Sequence, residues 1–95
     1  MPDLSELTVD DFSARAGESF ALADGTVLTL VEATALPASP LAPRPPFALE
    51  FTGPPEVIYP QATYALSNEH LGTLEIFIVP TGRDEEAVHY QVIFG

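Results

Sequence analysis

From residue 18 onward, apolar and polar positions alternate mostly with a period of two; only the stretch before it carries a helical period. Val9, Phe12 and Ala16 share the i, i+3, i+7 spacing of one helical face. Thr8 and Asp11 make a weak capping-box variant, and Asp10 and Asp11 set negative charge against the positive end of the helix dipole. Gly17 stands where a left-handed stop belongs, so a short helix over about residues 8–16 is expected. Two to three turns do not persist alone in water, so Phe12 must pack on something larger, as a lid on a sheet or barrel end.

Ser19 to Leu22 and Thr26 to Val31 flank Asp24-Gly25, the signature of a hairpin with a type I′ turn, placing Phe20, Leu22, Leu28 and Leu30 on one inner face. Phe47, Leu49 and Phe51 alternate inward while Ala48, Glu50 and Thr52 alternate outward, and Gly53-Pro54-Pro55 ends that strand. Val57 to Pro60 reads as a short edge segment, since Pro60 cannot donate to a ladder. Alternation resumes at Thr63 to Ser67, and Asn68 to Gly72 reads as a turn with Asn68 and Gly72 at left-handed-tolerant positions. Thr73 to Val79 is apolar on nearly both faces after Glu75 and is expected to stop at Pro80. Asp84-Glu85-Glu86 makes a charged hairpin tip, and Val88, Tyr90, Val92 and Phe94 line one face of a last strand. Six short strands separated by turn signals predict a mainly β fold: a six-stranded antiparallel small barrel or sandwich with one short N-terminal α-helix.

The proline-rich loop at 36–46 breaks the pattern, with Pro37, Pro40, Pro43 and Pro46 recurring at polyproline II pitch. A stiff spacer is the commoner role of such a segment. The sharper alternative is a presented Pro-x-x-Pro ligand built on Pro40 and Pro43, with Arg44 as the flanking cation.

Composition narrows the function classes. Ninety-five residues suit one domain, 1–95, and an apolar content of 46% sets the chain apart from disordered sequences. Fourteen acidic against three basic side chains give a net charge of −11, which argues against a nucleic-acid partner. With no cysteine there is neither a disulfide nor a thiolate zinc site. Neither a membrane span nor a basic, apolar leader is evident, so a cytoplasmic location is expected. His70 and His89 lack partners at ligand spacing, no serine lies in a Gly-x-Ser-x-Gly context, and no glycine-rich phosphate loop occurs. No catalytic, cofactor-binding or metal residues are therefore expected, and the chain reads as non-enzymatic. The most informative charges are Glu32, Glu50 and Glu75, taken as outward-facing. On neighbouring strands they would form a ribbon of like charge, suited to a cationic partner surface, a weak calcium site or plain solubility.

Read in order, Phe12, Gly17-Glu18-Ser19-Phe20, Phe47-x-Leu49-x-Phe51-x-Gly53, Gln61-x-Thr63-Tyr64-x-Leu66, Leu71-Gly72-x-Leu74-x-x-Phe77-x-Val79-Pro80 and Tyr90-x-x-x-Phe94 span nearly the whole chain. This order resembles a family of small acidic bacterial β-rich proteins catalogued as a domain of unknown function. The resemblance implies no catalytic or binding residues. It does imply an accessory or assembly role beside tail-collar, fibre-like proteins. The expected function is a structural or protein-interaction domain working through a sheet edge or its acidic face. The alternative is a small-ligand-binding barrel lined by Phe47, Phe51, Tyr64, Phe77 and Tyr90. A homo-oligomer is compatible with the sequence and should tighten as salt screens the −11 charge.

Overall fold

The computed structural model describes residues 8–37 and 46–94. One helix and six strands follow in chain order: α1 (Val9–Ser13), β1 (Ser19–Ala21), β2 (Val27–Ala35), β3 (Phe47–Gly53), β4 (Ala62–Asn68), β5 (Gly72–Arg83) and β6 (Val88–Phe94). The strands close into an antiparallel barrel in the ring order β1-β2-β3-β6-β5-β4, which resolves the choice between barrel and sandwich. Every second side chain turns inward. Phe20, Leu28, Leu30, Phe51, Leu66, Ile76, Ile78 and Tyr90 are fully buried, and Phe47, Leu49, Val88 and Val92 nearly so.

Alpha-1 covers one end. Phe12 is fully buried against the rings of Phe47 and Phe94, at centroid distances of 5.7 and 5.6 Å, while those two stack at 4.8 Å. The helix is shorter than the spacing suggests. Asp11 does its capping work, accepting from the Thr8 backbone N–H at 2.8 Å. Past Ser13, however, Arg15 N–H bonds back only three residues to Phe12, and Gly17 N–H is taken by the Leu30 carbonyl at 2.7 Å. That sheet bond pulls the chain out of the helix, and Ala16 is left exposed.

Beta-3 and β4 stand opposite one another in the ring, so the connection over residues 54–61 crosses the other end as a strap. It forms no strand, contrary to the edge segment expected there. Tyr59 anchors it: its N–H donates to the buried Tyr90 hydroxyl at 3.0 Å, and its own hydroxyl reaches Asp24 and Thr26, each at 2.6 Å.

Three further local expectations are corrected. The β1–β2 hairpin closes through Gly25 N–H to Leu22 O and Leu22 N–H to Thr26 O. That is a three-residue loop with only Gly25 at positive φ (90°), in place of a two-residue type I′ turn. Asn68 likewise keeps a negative φ, leaving Gly72 (76°) as the left-handed residue of the β4–β5 turn. Pro80 does not end β5: the strand runs on to Arg83 through a bulge between Pro80 and Gly82, where a missing N–H is tolerated.

Candidate functional site

Glu32 has the same parity as the buried Leu28 and Leu30, so strict alternation would send it into the core. A bulge between Leu30 and Glu32 prevents this by inserting one extra residue. Phe51 pairs with Leu30 and Glu50 with Glu32, so Val31 is the extra residue. Val31 and Glu32 both end up exposed, and Ala33 resumes the inward row. The bulge therefore sets Glu32 directly opposite Glu50 on the outer face.

The same level continues across the barrel wall, since Glu50 pairs with Gln91 and Gln91 with Val79. A groove of about 400 Å³ lies here, lined by Glu32, Thr34, Leu36, Ala48, Glu50, Thr81 and Gln91 among others. Thr81 enters it because the second bulge, between Pro80 and Gly82, leaves it as the unpaired residue. Beside the groove, Ile93, paired with Ala48, is 56% exposed and gives β6 an apolar margin there.

His89 connects this face to the β5–β6 turn. Its Nε2 shares a 2.9 Å hydrogen bond with Asp84 Oδ2, and its Nδ1 lies 3.6 Å from Glu50 Oε2. The bond to Asp84, with the nearby carboxylate charges, raises the imidazole above its ordinary pKa. Asp84 is held down to about 2, first by His89 and then by the Glu86 and Ala87 N–H groups that donate to it.

A second polar cluster sits at the β4–β5 turn. Asn68, only 5% exposed, accepts from the His70 and Leu71 N–H groups and donates to Glu18 and the Ser19 carbonyl. Glu18 thereby meets His70 Nδ1 at 2.8 Å across 52 residues of sequence. That hydrogen bond holds the Glu18 carboxyl below its usual range. Ligand atoms of Glu18, Glu69 and His70 lie within 4.8 Å of one another, so the group has donors of the kind that hold a cation.

Of the predicted site residues, Glu32 and Glu50 are brought face to face. Glu75 is not: it pairs with Ala65 on β5–β4, elsewhere in the ring. Pro40, Pro43 and Arg44 lie outside the described residues. Sequence reasoning missed His89, Asp84 and Gln91 as neighbours of the glutamates. The outward parity of Glu50, His89 and Gln91 was visible, but the pairing of β3 with β6 was not. The aromatic set proposed for a ligand-binding interior is split. Phe47, Phe51 and Tyr90 are packed inside, Tyr64 is half-buried at the rim, and Phe77 points outward. Among the described residues, no helix is long and apolar enough to cross a membrane.

Fold and face together define a small closed β-barrel with a helical lid, a strap across the far end and an acidic outer wall. The chain belongs to the family described as Domain of unknown function (DUF6916), which matches residues 7–94. No curated protein and no solved structure matches it.

Proposed function

We propose that this domain is a non-enzymatic interaction module that docks a cationic surface of another protein on the β2–β3–β6 wall. The observation that carries this reading is the directly opposed Glu32–Glu50 pair. Opposed like charges on a sheet are destabilising by roughly 0.2–1 kcal/mol, and here one of them is turned outward by a bulge. An arginine or lysine set between the two carboxylates would relieve that repulsion, and its aliphatic stem would lie on Ala48 and its neighbour Ile93. A closed ring offers little free edge, so the face is favoured over strand addition as the mode of contact. The inward rings contact one another, which disfavours the reading as a ligand-holding barrel. The resemblance to proteins found beside tail-collar, fibre-like proteins supports such a protein as the partner, with this domain as its accessory or assembly factor.

The test is absolute mass by light scattering after size exclusion, with a tail-collar fibre-like protein of the same organism as partner. The expected result is a complex that forms at low salt, weakens as salt rises, and is lost in the Glu32→Gln/Glu50→Gln variant. A 10.2 kDa monomer under every condition overturns the proposal.

A further inference from the structure

We infer that the seam between β1 and β4 holds a binding pocket for an organic ammonium cation, walled by Tyr59, Tyr64 and Asp24. The site lies across the ring from the β3–β6 wall and is independent of the acidic face.

Beta-1 and β4 share a single paired position, Ala21 with Ser67, because β1 turns away into its hairpin at Leu22. The gap left beside β4 is a pocket of about 190 Å³, lined by Leu22, Ala23, Asp24, Tyr59, Tyr64 and Ala65. That is room for an ammonium group with its methyl or methylene substituents.

The lining chemistry selects the ligand. The Tyr59 and Tyr64 rings meet at 82° with centroids 5.7 Å apart, giving two near-perpendicular aromatic walls. Both hydroxyls are already committed, Tyr59 to Asp24 and Thr26 and Tyr64 to the Pro60 carbonyl at 2.7 Å. The rings are thus fixed before any ligand arrives, which lowers the ordering cost of binding. Asp24 adds a carboxylate at the rim, oriented by the Thr26 N–H at 2.9 Å. An aromatic face attracts a cation through its quadrupole, and two faces beside a carboxylate are the arrangement that recognises ammonium groups. A hard metal ion finds too few oxygens here, since Asp24 is the only acid among the described residues of the lining. An anion would meet Asp24 and the net charge of −11.

The experiment is an NMR titration of the intact chain with choline, with N-acetyl-lysine methylamide, and with 3,3-dimethylbutanol as the uncharged isostere of choline, at matched ionic strength. Either cation is expected to shift signals of Tyr59, Tyr64 and Ala65 and to bind at least about fivefold more tightly than the neutral alcohol. The tighter of the two distinguishes a free quaternary ammonium from a protein lysine as the source. Asp24→Asn and Tyr64→Leu should each lose about fivefold or more, whereas Glu50→Gln should retain binding. Should Tyr64→Leu fail to fold, Asp24→Asn decides. Equal binding of choline and the alcohol overturns the inference. So does unchanged cation affinity in folded Asp24→Asn, or cation shifts that vanish in Glu50→Gln.

Discussion

Replacing Phe12 by alanine tests whether a five-residue helix is part of the barrel core or merely rests on it. Phe12 is fully buried and contacts two rings, Phe47 and Phe94, that themselves stack. Removing a buried phenylalanine costs about 3–5 kcal/mol, the sum of lost transfer energy and the cavity left behind. The lower end applies if α1 settles into the space, the upper end if the Phe47–Phe94 stack holds its position. A chain of this length has a total stability of roughly 5–14 kcal/mol, so the substitution removes a large share of it. The midpoint of thermal unfolding should fall by roughly 15–30 °C. Urea titration followed by far-ultraviolet circular dichroism and tyrosine emission would measure the loss, with an unchanged slope showing that the denatured state is unaffected. Phe77→Ala, on the outer face, is the matched control and should lose less than about 1 kcal/mol. A Phe12→Ala loss as small as the control's would refute the argument that the lid completes the core.

Three other outcomes follow from individual contacts. A Cβ on Gly53 would stand 2.6 Å from Leu28 Cδ2 and 3.3 Å from the Tyr90 ring. Gly53→Ala should therefore destabilise by about 1–3 kcal/mol in the same urea assay, because Leu28 is fully buried and has little space to retreat. Asn68→Ala leaves the His70 and Leu71 N–H groups and the Ser19 carbonyl without their partner and should cost about 1–3 kcal/mol, visible also as faster amide exchange in the β4–β5 turn. The Asp84–His89 bond makes stability pH-dependent in two directions. Asp84, lowered from 3.8 to about 2, contributes fully above pH 3.8 and is lost as pH falls through about 2; His89, raised from 6.5, contributes fully below pH 6.5 and is lost as pH rises through its higher folded value. The stability gap between the native chain and Asp84→Asn should thus be widest between about pH 4 and 6.5 and narrow on both sides. A gap independent of pH would dismiss the pair.

Alternation made most of the barrel legible in the sequence. Phe47-Leu49-Phe51 and Val88-Tyr90-Val92-Phe94 carry their inward faces openly, and Phe12 announces a lid because no short helix survives unpacked. The irregular places were not legible. A bulge is a shift of register between two strands, and the alternation of one strand does not reveal it. The parity of Glu32 with Leu28 and Leu30 points inward while its charge points outward, and only the Val31 bulge reconciles the two. Pro80 looked like a terminator for the same reason. The strap was hidden because its fixing bonds, Tyr59 to Tyr90 and to Asp24, join residues 31 and 35 apart. Half of the candidate face was visible as outward glutamates. The rest, His89 and Asp84 beside Glu50, depended on β3 lying next to β6, a matter of ring order that no local pattern encodes.

Docking of a cationic partner on the β2–β3–β6 wall can be read residue by residue from the amide shifts of the labelled chain as a fibre-like partner is added. The perturbed amides should cluster at Glu32, Thr34, Glu50, His89 and Gln91 and fade as salt is raised. Perturbations centred on the inward rows of Leu49, Ile76 and Val92, or a complex indifferent to Glu50→Gln, would contradict it.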